Sequence, residues 1–282
     1  MSARPNFIYI GPDKAGSSWL HEVLINHPQV FMPHAKDLYF FDRYHDRGMP
    51  WYLGHFDGAG PQHKVVGEVC QDYLFHAECP DRILAGLGPD VRMMVTLRDP
   101  ADRAFSSYLY MLKHGETPGT FLKALAARPE LLEHGRYATH LDRYVERFGR
   151  DALHVAVFDD LQTDPQAFLD ALLDWLDVQP LLLDAEQLEA RLPASTARSV
   201  LAARATRWAA AVVRERDGAN LVGRVKRSRV VQRTLYRELG GDKPVMTRAE
   251  RDAVHEALAS EVESLDRSYG LDLAGRWGWA RA

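Results

Sequence analysis

A chain of 282 residues that is 46% hydrophobic and 26% charged has enough apolar material for a substantial core and the charge content of an ordinary folded protein. Its 35 basic and 39 acidic side chains give a formal net charge of -4, which argues against a global basic field for sequence-independent nucleic-acid binding and makes any anion site a local one. The two cysteines, Cys70 and Cys79, lack the spacing of a zinc cage or a disulfide framework, and the apolar run at Phe7 is too short for a signal peptide or a membrane span. A cytoplasmic setting, and one domain over residues 1–282, are the expectations.

Four short runs, Phe7 to Ile10, Val65 to Val69, Val91 to Leu97 and Leu153 to Phe158, are apolar or β-branched and bounded by turn residues. They read as strands buried on both faces and hence parallel. Helical patterns alternate with them, at Leu20, Val23 and Leu24 and again over Ala101 to Leu112. Further on, Phe168, Leu172, Trp175 and Leu176 recur at helical spacing, as do Val254, Leu258, Val262 and Leu265. The fold class expected is α/β, a P-loop-like three-layer sandwich with a central parallel sheet flanked by helices and a helical C-terminal third. About residues 190–245, with basic Arg224, Lys226, Arg227 and Arg229, a helical segment is expected to cover a nucleotide or acceptor site.

Directly after the first strand stands Gly11-Pro12-Asp13-Lys14-Ala15-Gly16-Ser17-Ser18-Trp19, opening a helix. Such a turn aims backbone N–H groups and the positive helix end at one spot, which suits a phosphate. The spacing fits a P-loop frame, but Ser17 stands where the Walker lysine belongs, and the lysine sits inside the loop as Lys14. This speaks against ordinary ATP or GTP hydrolysis. Trp19 offers a face for a purine, or else is a core tryptophan.

The third strand ends in Arg98-Asp99-Pro100, with Arg103 and Ser106 along the following helix. An arginine at the carboxyl end of a parallel strand lies where open α/β sheets bind ligands, and Arg98 and Ser106 can take a second phosphate. The alternative pairs Arg98 with Asp102 and leaves Ser106 to helix packing.

These two segments resemble the sulfotransferase family. The loop is similar to its 5′-phosphosulfate-binding turn, P-K-x-G-T-T-W, with one inserted aspartate, Asp13, and serines for threonines; Arg98 to Arg103 is similar to its 3′-phosphate motif, R-D-P-x-x-R. The resemblance implies transfer of a sulfuryl group from 3′-phosphoadenosine 5′-phosphosulfate to a hydroxyl, or an amine, of a small-molecule, sugar or glycolipid acceptor, without a metal. It implies a donor site made of Lys14, Ala15, Gly16, Ser17, Ser18, Trp19, Arg98, Ser106 and, from a segment similar to P-R-S, Arg198. Lys14 is also the implied catalytic cation.

For the base, His34-Ala35-Lys36-Asp37-Leu38-Tyr39-Phe40-Phe41 resembles the family's K-E-P-x-F-F stretch and puts Asp37 in the place of the glutamate, with Lys36 read as a solvated lysine. Glu68 and His76 are the other base candidates. The lysine of the family's E-K-T-P-x-Y stretch is absent from Glu68-Val69-Cys70-Gln71-Asp72-Tyr73. Competing readings are a small-molecule kinase with a degenerate P-loop and a non-catalytic nucleotide-binding module.

Overall fold

The computed structural model describes residues 3–117, 119–189, 195–197, 236–238 and 244–279. Its centre is a five-stranded, wholly parallel sheet of β1 (Phe7–Gly11), β2 (Val30–Phe31), β3 (Val65–Val69), β4 (Arg92–Leu97) and β5 (Leu153–Val157), in the order β2-β3-β1-β4-β5. The sequence reading finds four of these strands to within a residue at each end. It misses β2, whose two residues are too few to carry a period. Strand β1 is buried throughout, as a continuous apolar run demands, and so is β3 with its Glu68, whereas β5 on the edge is buried only at its ends.

Helices cover both faces. They are α1 (Ser17–Leu24), α2 (Gly48–Gly54), α3 (Cys79–Leu87), α4 (Pro100–Lys113), α5 (Phe121–Ala127), α6 (Glu130–Glu133), α7 (Tyr137–Phe148), α8 (Phe158–Thr163), α9 (Pro165–Trp175), α10 (Ala185–Glu189), α11 (Arg248–Tyr269) and α12 (Leu273–Arg276). One core joins Ile8, Ile10, Val95 and Leu97 of the sheet to Ala101, Ala104 and Tyr108 of α4, Leu141 of α7, and Val254, Leu258, Val262 and Leu265 of α11. The opposite core joins Phe7, Tyr9 and Met94 to Trp19, Leu20, Val23 and Leu24 of α1 and to Phe168, Leu169, Leu172 and Leu173 of α9. Both long-range helical periods read from the sequence therefore face apolar layers, as the pattern requires.

The segment expected to be helical over residues 190–245 lies mostly outside the described residues, including Arg198 and the cluster from Arg224 to Arg229. Of its described residues, Ser195–Ala197 and Tyr236–Glu238 pair as antiparallel strands β6 and β7, not as helix. The helical expectation holds for α11 and α12. Among the described residues no helix is long and apolar enough to cross a membrane.

The connection leaving β1 runs towards β2 and β3, and that leaving β4 runs towards β5. The carboxyl ends of β1 and β4, side by side, are thus the topological switch point where doubly wound sheets open a crevice. Both anion-binding segments read from the sequence emerge there.

Candidate functional site

The turn after β1 is built by backbone choices that few residues tolerate. Gly16 caps α1 with φ +86, a left-handed position that favours glycine, and a Cβ there would press on the end of the Leu161 side chain at 2.6 Å. No acidic side chain occupies the first turn of α1, which leaves the positive end uncompensated. Lys14 is left-handed, with φ +61, and its ammonium lies 3.9 Å from the Tyr110 ring centroid on α4. Ser17 is buried and Ser18 exposed.

The residue before Lys14 is anchored deeply. Asp13 accepts from Ser107 Oγ at 2.6 Å and from Arg103 Nη1 at 3.1 Å, and Arg103 is 0% exposed, its other arm on the Leu131 carbonyl. Burial alone would raise the Asp13 pKa; Arg103, with His134, Lys14 and Ser107, overcomes it and holds the carboxyl well below the usual range. The aspartate that looks like an insertion in the sequence is therefore the loop's tether.

Arg98, at the end of β4, donates from Nη1 to the Lys14 carbonyl at 2.6 Å and lies 4.7 Å from the Phe158 ring centroid. It borders a cavity of about 170 Å³ that Arg251, Arg276 and Trp277 also line. The expected alternative, an Arg98–Asp102 structural pair, gives way to another: Asp102 binds Arg251 at 2.6 Å. Asp99 caps α4 through the Ala101 amide and takes the second Arg251 nitrogen at 2.9 Å. A Thr247–Glu250 capping box starts α11 and so fixes where Arg251 points. Ser106 is half-buried one helical turn before Tyr110, on the side of α4 that meets Lys14, while its neighbour Ser107 holds Asp13.

Trp19 does not present the face expected for a purine. It packs edge-on to Phe168 in the core, 5% exposed, with Nε1 donating to the Gln187 carbonyl at 2.9 Å. The apolar positions 19, 20, 23 and 24 of α1 form one helical stripe, a signal already present in the sequence.

On the far side of the turn, Asp37 sits in a left-handed conformation, φ +60, after β2. Its carboxylate receives Lys36 Nζ at 2.9 Å on each oxygen and the Gln71 amide at 3.2 Å. Lys36 is thus an ion-paired lysine, 16% exposed, and not the solvated one expected. Gln71 packs against Gly11, whose added Cβ would lie 2.6 Å from the Gln71 carbonyl, so the Asp37 loop and the Lys14 loop share one wall.

Of the other base candidates, Glu68 is 0% exposed and holds Tyr52 Oη at 2.8 Å and Tyr73 Oη at 3.0 Å, which removes it from any acceptor. His76 is a surface residue near Asp42 and Glu78. A carboxylate the sequence reading passed over is Asp72, paired with Arg43 and pushed up to about 6 by burial. Its tether to the site is tertiary, so no local pattern marks it.

Glu68 predicts a pH effect. Burial raises its pKa from 4.5 to about 8, so across that window the folded state keeps a proton that the unfolded chain releases. Folded stability then falls as pH rises from about 5 to about 8, by an amount on the order of a few kcal/mol. Glu68→Gln should flatten this decline, measured as the difference in Tm between pH 5 and pH 8; equal differences in both proteins would show that Glu68 does not titrate there.

Residues 4–200 match the family described as "Sulfotransferase domain". Over 204 residues, 62% of this chain, the sequence is 30% identical to the human bifunctional heparan sulfate N-deacetylase/N-sulfotransferase 3, of which that stretch is 22%. Over 194 residues, 64% of this chain, it is 31% identical to mouse heparan sulfate glucosamine 3-O-sulfotransferase 6, of which that stretch is 54%. The chain therefore spans between about a fifth and about half of the length of these curated relatives. The crystal structure of a sulfotransferase from Alicyclobacillus acidocaldarius superposes with a TM-score of 0.70 over 97% of this chain and 98% of its own, at 22% identity, and so shares the fold. With the family match covering well over half of its length, on a turn and an arginine already placed together at the switch point, this chain belongs to the sulfotransferase family.

Proposed function

We propose that the protein is a sulfotransferase that uses 3′-phosphoadenosine 5′-phosphosulfate as donor and the hydroxyl, or less favourably the amine, of a small-molecule, sugar or glycolipid as acceptor. One observation carries the reading: the hydrogen bond from Arg98 to the Lys14 carbonyl sets two anion-binding elements side by side, as a bisphosphorylated adenosine requires. In this reading the amides of Gly16, Ser17 and Ser18, with Lys14, receive the 5′-phosphosulfate; Ala15 spaces them. Arg98 and Ser106 receive the 3′-phosphate, Arg98 at the edge of a cavity whose other arginines, Arg251 and Arg276, are already paired with Asp99, Asp102 and Asp160. Burial lowers the Arg98 pKa, which marks a cation that gains from an entering anion.

Asp37 takes the proton of the attacking hydroxyl, and Lys36 holds both carboxylate oxygens in place. Lys14 and the loop amides offset the charge that gathers on the departing phosphate, so the transfer proceeds without a metal. The sulfuryl group leaves the phosphate oxygen as the acceptor oxygen bonds to sulfur. One relative is a heparan sulfate N-sulfotransferase and the other a heparan sulfate glucosamine 3-O-sulfotransferase, which supports a sugar acceptor while leaving amine and hydroxyl as the two classes to assay. A single domain over residues 1–282 and a reducing, cytoplasmic location complete the proposal, the latter supported by Cys70 and Cys79 being buried free thiols.

Calorimetric titration with adenosine 3′,5′-bisphosphate, beside ATP with magnesium, tests the donor. Tight binding of the bisphosphate in the presence of a chelator is the expected result. Preference for magnesium-ATP would overturn the proposal in favour of a kinase.

A further inference from the structure

We propose that Asp13 is a positioning residue for Lys14, and that the segment Arg98–Ser107 is a bracket that grips the donor turn as well as a reader of the 3′-phosphate. The inference rests on the reading of Lys14 as the donor-side cation.

A non-glycine residue at φ +61 is strained and persists only where its surroundings dictate it. Two anchors do so here. On one side the Asp13 carboxylate is held by Ser107 at 2.6 Å and Arg103 at 3.1 Å. Arg103 cannot yield, because it is 0% exposed and its other arm is on the Leu131 carbonyl. His134 stands 3.9 Å from the same carboxylate, its ring stacked on Phe75 at 3.6 Å between centroids. On the other side the Lys14 carbonyl is held by Arg98 at 2.6 Å. Side chain 13 and carbonyl 14 are thus tied to one rigid element, β4 running into α4, and the Lys14 ammonium is left lying on Tyr110 of that same helix.

The charge arrangement agrees with the geometry. Groups facing Lys14 are Asp13 on its own turn, Arg103 and Lys113 on α4, Lys36 from the loop after β2 and Asp72 from the loop after β3. Burial lowers the Lys14 pKa, Asp13 is the chief group opposing that, and Lys36 and Arg103 act with burial. Without the Asp13 charge, Lys14 loses its proton at lower pH.

Two variants of the full chain test this. Asp13→Asn keeps the shape and removes the charge. Because it leaves Arg103 as a buried, unpaired cation, which can prevent folding, the second variant is Asp13→Leu with Arg103→Met, an apolar replacement of the pair. Two readouts are taken. One is the Lys14 titration, followed by NMR on protein with ¹³C-methylated lysines and no nucleotide, assigned with Lys14→Arg. The other is the affinity for adenosine 3′,5′-bisphosphate by calorimetry, with Tm as the check on folding. The expected results are a downward shift of the Lys14 midpoint in Asp13→Asn and a loss of bisphosphate affinity of about tenfold or more in the double variant at near-normal Tm. An unchanged Lys14 midpoint in folded Asp13→Asn, or normal affinity in the folded double variant, would overturn the positioning role. Failure of the wild-type protein to bind the bisphosphate would instead overturn the donor reading, and the NMR titration would still judge Asp13.

Discussion

Replacing Asp37 by asparagine is expected to lower sulfuryl transfer by about 10²–10⁴ at saturating donor while leaving the affinity for adenosine 3′,5′-bisphosphate near normal. The size follows from what a general base contributes. The selectivity for turnover follows from position: Asp37 lies on the loop after β2, across the Gly11–Gln71 wall from the turn that would hold the donor. Asparagine can keep the Gln71 amide contact and roughly the same volume, so the left-handed backbone at φ +60 is preserved while the proton acceptor and its ion pair with Lys36 are lost. The measurement is transfer of labelled sulfate from the donor into a panel of desulfated glycans and simple alcohols and amines, beside calorimetry. Normal turnover in Asp37→Asn would transfer the role to Asp72, the other half-buried carboxylate near the turn, since Glu68 is sealed behind Tyr52 and Tyr73.

The second large effect belongs to Arg98. Alanine there is expected to weaken bisphosphate binding by at least about 100-fold. One charge-assisted contact to phosphate is lost, at about 1.5–3 kcal/mol, and the Lys14 carbonyl loses its donor in the same step. Lysine in place of Arg98 should restore only part, because an ammonium cannot serve the carbonyl and a phosphate in one plane as a guanidinium does. A comparison of adenosine 3′,5′-bisphosphate with adenosine 5′-monophosphate reads the two contributions separately: the mutant should lose affinity for both, and more for the first. If 5′-monophosphate binding is untouched, Arg98 does not hold the turn.

What the sequence discloses and what it hides follow one physical division. Strand, turn and helix around Gly11 to Leu24 announce themselves because their signals are local: a buried apolar run, a glycine at a left-handed position, then an apolar stripe of period near 3.6. Arg98 is legible for the same reason, since it ends a strand and Asp99-Pro100 starts a helix. Trp19 is legible as the core tryptophan of its two readings, since an aromatic at i and valine at i+4 belong to the buried stripe. Hidden are the residues whose partners are remote. Asp13 meets Arg103 and Ser107 from 90 and 94 positions away, and Arg251 meets Asp99 from 152 away, so composition and spacing near each say nothing of the bond.

The two apolar layers described above meet the donor turn from opposite sides. Helix α1, which begins at the turn, is rooted in the layer with α9, whereas Arg103 and Ser107, which grip the turn, are rooted through α4 in the layer with α7 and α11. The turn is therefore fastened to both layers, and its alignment depends on how each is packed. A cavity opened at the fully buried Leu172 of α9 is expected to let one layer settle against the other and to be felt at Lys14 as a loss of alignment, so that under the proposed donor reading remote core positions would be a second set of controls on binding.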